Sequence, residues 1–556
     1  MIRTNRLRTL LGLGAVILFT ASLAHAAQGD VMLNVEFGEG MVLQSGVKTT
    51  LSGTAARNGA FSLEFRGQTH AVKTDAAGLW RLELDQGAPG GPFPMTIRGQ
   101  NTIELKNVHV ADTVLASVCG EGMVLQRGGK APVFGTTEPG VKVAVEFRGK
   151  KYAGAADASG AWRVDLEPGD AGGPFPLRIM AKSAIELKEV YVGEVWVCSG
   201  QSNMHYALSY SKDAGALKLD APNPLLRLQR FPEASYAPNR PALRYLGWQA
   251  AEKKSAMPFS GTGFYFGAAL QEHLKVPVGL IHSAYNATNV TEWTGAWTLE
   301  GHKHGKLPEG NLYRRQIRSM QPFAIRGVIW YQGEANAQSL QDPLGLGYDL
   351  RLSALIQSWR RDWGQGDFPF LFVQLARIGL SKEQVHGTQL PTPEQREVVA
   401  GWARVRDEQR KALDLAPNTG MAVVYDLTTG NLHPPEKKPM GERLALLARS
   451  LAYGEKLTAS GPLVTGVQRQ GDSLIVAFKH AEGLSAKDGE LRGFEAAGAD
   501  GKFVPLKAKI EGANVRLDAK GLSGPLTVRY AYREWPDGNL VNAAGLPASP
   551  FSTEAK

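Results

Sequence analysis

The middle of the chain alternates short, continuous apolar runs with longer segments of helical periodicity. Continuous apolar runs are typical of strands buried on both faces, as in a parallel sheet covered by helices. The runs lie at 194–198, 276–283, 325–331, 368–375 and 420–426, and the helical segments lie at 263–274, 348–363, 393–413 and 436–452. This pattern predicts an open, flavodoxin-like parallel α/β sheet.

On either side of this region, short apolar runs are separated by Gly, Pro and Asp, which favours antiparallel β-structure. The sequence GEGMVLQ at 38–44 returns at 120–126, and GGPFP at 90–94 returns at 172–176, both 82 residues later (120 − 38 and 172 − 90). This duplication predicts two similar β-sandwich modules, which we interpret as units that pack on a neighbour rather than as carbohydrate-binding domains. The predicted fold class is therefore multidomain, with a central α/β domain flanked by β-sandwich modules.

The N-terminus has the features of a secretory signal peptide. Three arginines at 3, 6 and 8 precede an apolar run at 10–23, and Ala24-His25-Ala26 offers a small-residue cleavage site. We therefore expect a periplasmic or secreted protein, and no later segment is apolar and long enough to predict a membrane span. The predicted organisation is a signal peptide at 1–26, β-sandwich modules at 27–112 and 113–192, the α/β domain at 193–455 and a C-terminal β module at 456–556.

Charge and cysteine content narrow the classes of partner. The formal net charge is +9, and it becomes +6 without the three signal-peptide arginines. The remaining basic residues are spread along the chain, so we expect a solvated surface and no nucleic-acid site. An oxidising compartment permits a disulfide between Cys119 and Cys198, the only two cysteines, but we favour two buried thiols.

Chemically useful side chains follow the predicted parallel strands. Ser202 follows the first strand, Asn286 the second, Glu334 and Asn336 the third, and His433 lies just past the fifth. Because the carboxyl ends of parallel strands meet at one edge of a sheet, we expect these side chains to converge there. A serine, a histidine and amide donors in one place indicate nucleophilic catalysis.

The roles follow from the chemistry of each group. A serine hydroxyl needs a base to take its proton, and His433 can do so near neutral pH, with Ser202 as the nucleophile. Asp426 is the only Asp or Glu from Val423 to Pro435 and lies seven residues before His433, whereas the position three residues before His433 is Gly430 and the next is Asn431. The sequence therefore leaves open a Ser-His-Asp triad with Asp426 or a Ser-His dyad assisted by a backbone carbonyl.

The tetrahedral intermediate of ester hydrolysis needs hydrogen-bond donors for its oxyanion. The natural donors are the backbone N–H of Ser202, a backbone N–H at Asn286 and the side-chain amide of Asn336, while Glu334 could orient the loop. The residues expected to line the site are Gln201, Asn203, Gln332, Glu334 and Asn431.

Three segments resemble the signature blocks of one family. GEVWVCSGQSNM, IRGVIWYQGEANA and LHPPEKKPMGERLA are similar to those of the sialate O-acetylesterase family, within the SGNH-type hydrolases, and the likeness extends from about residue 113 to the end. The resemblance implies that Ser202 is the nucleophile, His433 the base and Asn336 an oxyanion-hole donor. It also makes residues 27–112 an extra duplicate of a module that the family usually carries once. The segment 283–288 departs from the family's Ser-x-x-Gly-Gly-Thr run, so substrate preference is expected to differ.

The sequence thus predicts a secreted serine esterase that removes O-acetyl groups from a glycan, its expected partner. The sugar is sialic acid or, as an alternative, a plant or bacterial polysaccharide of the acetylxylan or xyloglucan type. A second alternative is a non-catalytic carbohydrate-binding protein. No metal or cofactor is expected, because His302 and His304 have no acid or cysteine cluster nearby.

Overall fold

The structure is a computed structural model that describes residues 29–33, 37–231, 247–302, 305–338, 345–379, 393–427 and 430–555, with the backbone alone for 393–400. The predicted signal peptide and His304 lie outside these residues.

The first β-module is a sandwich of two antiparallel-rich sheets. Its strands are β1 (Met32–Leu33), β2 (Val42–Gln44), β3 (Thr49–Thr54), β4 (Ala60–Phe65), β5 (Gln68–Lys73), β6 (Leu79–Leu84), β7 (Gly90–Arg98) and β8 (Thr102–Ala111). One sheet has the order β1-β3-β6 and the other β2-β8-β7-β4-β5. The rings of Phe61 and Trp80 meet edge to face, 5.2 Å apart, in the core between the sheets.

The second β-module repeats this arrangement strand for strand. Its strands are β9 (Val114–Leu115), β10 (Val124–Gln126), β11 (Ala131–Thr136), β12 (Lys142–Phe147), β13 (Lys150–Ala155), β14 (Ala161–Leu166), β15 (Gly172–Met180) and β16 (Ala184–Gly200). Every one of these strands begins 82 residues after its counterpart, as β2 at 42 and β10 at 124 illustrate. The sheets again have the orders β9-β11-β14 and β10-β16-β15-β12-β13. The duplication in the sequence is therefore a duplication of the fold.

The last strand of the second module continues into the central sheet. β16 has 17 residues, and its first part pairs with β15 and β10 as far as Gly193. From Glu194 onward the same strand pairs in parallel with two strands of the central region. The sequence boundary predicted between 192 and 193 consequently falls inside one uninterrupted strand, because the apolar run that begins at Val190 is buried throughout.

The central sheet contains all five predicted strands as parallel neighbours, together with two further strands. Its members after β16 are β17 (Asn223–Arg230), β18 (Gln249–Ala251), β19 (Val278–Ala284), β22 (Gly327–Tyr331), β23 (Phe370–Val373) and β24 (Thr419–Ala422), and a hairpin of β20 (Trp297–Thr298) and β21 (Lys306–Leu307) stands apart. The order is β18-β17-β19-β16-β22-β23-β24, with β18 antiparallel at the edge. β24 ends at Ala422, earlier than predicted; the next carbonyl, of Val423, accepts a hydrogen bond from Arg443, and the chain turns at Tyr425–Leu427.

Helices cover both faces of this sheet. They are α1 (Ser202–His205), α2 (Lys253–Ala256), α3 (Gly261–Leu274), α4 (Glu334–Gln338), α5 (Tyr348–Trp363), α6 (Pro393–Leu415) and α7 (Lys437–Tyr453). Short 3-10 turns lie at Leu208–Tyr210, Ala214–Ala216, Val290–Trp293, Arg318–Met320 and Tyr425–Leu427, with a π-helical turn at Tyr313–Ile317. Alternate residues of β16 face opposite layers: Trp196 belongs to the buried apolar cluster that includes α3 and α7, whereas Val197 belongs to the cluster that includes α5 and α6.

The C-terminal module is a third β-rich unit. Its strands are β25 (Leu463–Gln470), β26 (Ser473–Lys479), β27 (Ser485–Ala486), β28 (Phe494–Ala497), β29 (Val504–Pro505), β30 (Ala508–Glu511), β31 (Asn514–Asp518), β32 (Thr527–Tyr530), β33 (Leu540–Val541) and β34 (Phe551–Glu554). It is joined to α6 by the buried guanidinium of Arg406, which donates to the carbonyls of Arg533 and Glu534.

The structure bears on two further predictions, one about the cysteines and one about membrane-spanning segments. Cys119 and Cys198 are free, buried thiols, and burial raises the pKa of Cys119 to about 12. In the part of the chain that the structure describes, no helix is both long and apolar enough to cross a bilayer.

Candidate active site

Ser202 stands at the point where the central strand of the sheet turns into a helix. β16 ends at Gly200, Gln201 precedes the helix, and Ser202 is the first residue of α1. Gly200 has φ +135°, and a Cβ there would lie 2.2 Å from the carbonyl oxygen of Tyr331 on β22. Only glycine allows both this backbone conformation and this close approach, so Ser202 is held at the carboxyl edge of the sheet.

His433 reaches the same point from more than two hundred residues further along the chain. It precedes α7, and its Nε2 lies 2.8 Å from the Oγ of Ser202. Burial, and secondarily the charge of Lys437, lower the pKa of His433 to about 4. The imidazole is therefore neutral at neutral pH, the state in which it can accept the serine proton.

Asp426, the predicted acid, is engaged elsewhere. Its Oδ1 and Oδ2 accept hydrogen bonds of 2.6 and 2.7 Å from the two terminal nitrogens of Arg443 on α7. Within the described residues, no hydrogen bond or ion pair joins Asp426 to His433. A bidentate guanidinium is a strong partner for a carboxylate, and it takes both oxygens that a histidine would need. The geometry thus pairs the predicted acid with an arginine instead of with the base.

Asn203 links the turn that carries Ser202 to the loop that carries His433. Its Nδ2 donates to Glu334 Oε1 at 2.5 Å and to the carbonyl of Leu432 at 2.9 Å. Its Oδ1 accepts from the Nζ of Lys437 at 2.6 Å. Asn203, Glu334 and Lys437 are all buried, so these bonds lie in a region of low dielectric, where they are stronger than in water. The neighbour of the nucleophile is in this way tied to the neighbour of the base.

Lys437 is a functional candidate that the sequence analysis did not single out. Burial lowers its pKa to about 7, against the opposing charges of Glu334 and Glu436, and burial raises the pKa of Glu334. The ammonium also lies 4.7 Å from the ring centre of Tyr206 and 5.2 Å from that of Tyr331. The sequence held a signal that could have identified it. Lys437 is the first residue of helix α7, and a cation in the first turn of a helix interacts unfavourably with the helix dipole.

The predicted amide donors are held in fixed orientations. The Oδ1 of Asn336 accepts from the backbone N–H of Val290 at 3.1 Å and from Gln332 Nε2 at 2.8 Å. This assignment leaves Nδ2 as the end of Asn336 that can donate to a substrate. Gln332 Nε2 also lies 3.1 Å from Gln201 Oε1, and the hydroxyl of Tyr348 donates to Gln332 Oε1 at 2.8 Å.

The two remaining predicted residues, Asn286 and Asn431, lie at the margin of the site. Asn286 is exposed in the turn after β19, and that turn begins beside the nucleophile because the N–H of Tyr285 donates to the carbonyl of Gly200 at 3.0 Å. Asn431 is exposed, two residues before His433. Gln374, at the end of the fourth predicted strand, is buried away from this group: its Nε2 donates to the carbonyl of Arg406 and to the hydroxyl of Ser549.

Known proteins resemble the chain over most of its length. The family described as "Carbohydrate esterase, sialic acid-specific acetylesterase" matches residues 192–414. Human sialate O-acetylesterase is 28% identical over 498 residues, covering 78% of this chain and 91% of the human protein. A crystal structure of a carbohydrate acetylesterase from Xanthomonas citri is 34% identical with a TM-score of 0.69, covering 79% of this chain and 99% of that one. The chain belongs to the sialate O-acetylesterase family.

As a member of this family the protein is a carboxylic ester hydrolase, so the alternative of a non-catalytic carbohydrate-binding protein is set aside. The mouse sialate O-acetylesterase, 27% identical over 524 residues, is likewise covered over 93% of its length. The Xanthomonas structure leaves 21% of this chain uncovered (100 − 79). That share is close to residues 1–112, about a fifth of the 556, which hold the predicted signal peptide and first β-module.

Proposed function

We propose that the protein is a secreted serine esterase that removes O-acetyl groups from glycans, built on an SGNH-type, flavodoxin-like catalytic domain. The observation that carries the proposal is the 2.8 Å contact between Ser202 Oγ and His433 Nε2 at the carboxyl edge of the parallel sheet. The printed names of the relatives, which include a sialate O-acetylesterase and a carbohydrate acetylesterase, support an acetylated sugar as substrate.

In the proposed reaction, His433 takes the proton of Ser202 while the serine oxygen attacks the acetyl carbonyl. The oxyanion that forms is stabilised by the backbone N–H of Ser202, a backbone N–H at Asn286 and the Nδ2 of Asn336, each worth roughly 10²–10³ in rate if well aimed. His433 then returns the proton to the sugar hydroxyl as it leaves. Water, deprotonated by the same imidazole, hydrolyses the acetyl-enzyme.

We propose that Ser202 and His433 act as a dyad, because Asp426 is paired with Arg443. A matched pair of variants tests this. If Asp426 is structural, Asp426→Asn and Arg443→Gln should each lower thermal stability. Each folded variant should keep its kcat within about tenfold of the parent value. If Asp426 acts as the triad acid, Asp426→Asn alone lowers kcat by ~10⁴.

The serine mechanism is tested by acetate release. Ser202→Ala is expected to lower kcat on p-nitrophenyl acetate by at least ~10⁴, since the remaining oxyanion donors catalyse only weakly without the nucleophile. A variant as active as the parent would show that the assignment is wrong. A panel of O-acetylated sialic acid, acetylated xylan and acetylated xyloglucan then identifies the sugar.

Secretion rests on the signal peptide predicted at 1–26. Expression of the full chain in a bacterial host, followed by N-terminal sequencing of the mature protein, is expected to give Ala27 as the first residue. An uncleaved chain confined to the cytoplasm would contradict this part of the proposal.

A further inference from the structure

A row of aromatic rings leads from the base to the surface. The ring of Tyr206 is stacked on that of His433, with centroids 6.2 Å apart and planes 29° apart. Tyr210 meets Tyr206 edge to face at 5.8 Å and 67°. The hydroxyl of Tyr206 donates to the carbonyl of Tyr210 at 3.0 Å, which fixes the two residues to each other. The rings therefore form a wall that begins at the catalytic centre and ends in solvent.

Tyr210 is the exposed end of this wall. Six large apolar side chains are markedly exposed in the described residues, and Tyr210 is the only aromatic one and the most exposed, at 70%. The others are Val42, Leu79, Leu415, Leu451 and Val504. An exposed aromatic ring that continues such a row differs from an isolated surface residue, because one ring, that of Tyr206, separates it from the imidazole of His433.

The backbone under Tyr210 is firmly held. The N–H of Leu208 donates to the carbonyl of Phe259 at 2.7 Å, and the N–H of Ser209 to that of Met257 at 3.0 Å. On the other side, the N–H of Lys212 donates to the carbonyl of Pro435 in the His433 loop at 2.9 Å. The backbone that carries the ring is thus held in place before any ligand arrives, which reduces the entropy lost on binding.

We propose that Tyr210, supported by Tyr206, is a subsite that stacks against a pyranose ring of the glycan that carries the ester. The C–H face of a pyranose is apolar, while its hydroxyls point outward from the ring edge. An aromatic face matches this surface and leaves the sugar hydroxyls in water. The proposal rests on the proposed function, since it names the sugar that the same site holds beside the acetyl group.

The test compares a glycan with an ester that has no sugar. For Tyr210→Ala we expect KM on acetylated xylo-oligosaccharides or on O-acetylated sialic acid, whichever the parent hydrolyses, to rise about tenfold, with kcat changed less than about twofold. Kinetic constants on ethyl acetate should be unchanged, because that ester has neither a pyranose nor an aromatic ring that could stack on Tyr210. Tyr210→Phe should behave as the parent, since stacking needs the ring and not the hydroxyl. Leu79→Ala, which removes another exposed side chain on β6 of the first module, is the control and should change the kinetic constants on neither substrate.

Two results would overturn the subsite. One is an unchanged KM for the glycan in Tyr210→Ala. The other is an equal loss on the glycan and on ethyl acetate, which would mean that the ring supports the catalytic groups instead of the sugar. Failure of the proposed function looks different: the parent enzyme itself would release acetate from p-nitrophenyl acetate but from neither glycan.

Discussion

The two β-modules have the same strand order and related sequences, yet only the second is part of the catalytic sheet. Val124 on β10 is completely buried against the central sheet, while Val42, its counterpart on β2, is 43% exposed. β8 stops at Ala111, whereas β16 runs on to Gly200, two residues before the nucleophile. A duplicated fold has thus acquired two roles, and the difference lies in the course of the chain beyond the module and not in the module itself.

The joint at the end of each module, marked by Glu194 in the second module and Asp112 in the first, shows the same difference in burial. Glu194 is fully buried and accepts from Arg127 Nε at 2.5 Å and from Arg326 Nε at 2.7 Å. Its counterpart 82 residues earlier (194 − 82) is Asp112, which accepts from the hydroxyl of Ser45 and lies 3.7 Å from the ammonium of Lys182. The second joint is a buried ionic cluster and the first a partly exposed contact. Changes at equivalent positions should therefore have unequal effects.

The largest difference is expected at the paired valines. Val124→Asp places a charge at a fully buried position beside Gly279 and should lower the free energy of unfolding by about 4 kcal/mol. Val42→Asp changes an exposed position and should cost less than about 0.5 kcal/mol. Thermal unfolding of the two variants measures the contrast. Equal losses of stability in the two variants would mean that the two modules pack equally well against the rest of the protein.

The next largest effect is expected at the acidic joint residues. Glu194→Gln leaves two guanidinium groups without their carboxylate and should cost about 3 kcal/mol. Asp112→Asn should cost about 1 kcal/mol or less, because Asp112 and Lys182 are partly solvated. Denaturant unfolding gives both values. A larger loss for Asp112→Asn would reverse the ranking of the two joints.

A change at Lys437, the first residue of α7, tests the electrostatics of the site separately from the packing of the modules. Lys437→Met removes a cation that helps to lower the pKa of His433, so that pKa should rise. The acidic limb of kcat/KM on p-nitrophenyl acetate should then move to higher pH, by only part of the full shift because burial is the larger cause. Lys438→Met, at the exposed neighbouring position, should leave the limb in place. An unmoved limb in Lys437→Met would show that this ammonium does not act on the base.

The smallest effect is expected from removing the first module. A mature chain without residues 27–111 should keep its kcat/KM on p-nitrophenyl acetate within about twofold, since no strand of that module enters the central sheet. Steady-state kinetics of the shortened enzyme checks this. A large loss of activity would show that the first module supports the site after all.

The sequence predicted those features whose signals are local. Helix α5 begins and ends where its periodicity does, at 348–363, and the five predicted strands occur where the apolar runs lie. The approach of Ser202 and His433 could be predicted from a general rule about the carboxyl ends of parallel strands, without knowledge of the intervening loops.

The sequence did not predict features that depend on residues far away along the chain. Strand β17 was missed because Arg227 and Gln229 interrupt its apolar pattern, yet both are buried. They donate to the carbonyls of Gly122 and Ser117, which belong to the second β-module. The pairing of Asp426 was missed for a similar reason, since Arg443 lies on the next helix and nothing in the local spacing distinguishes it from His433 as a partner.

The unbroken course of β16 has a mechanical consequence. A strand of 17 residues extends about 50 Å, and here it is hydrogen-bonded to neighbours in both halves. No hinge separates the second module from the nucleophile, so the two cannot swing relative to each other as domains on a linker do. Any ligand or probe attached to that module is therefore carried in the same rigid frame as the reacting serine.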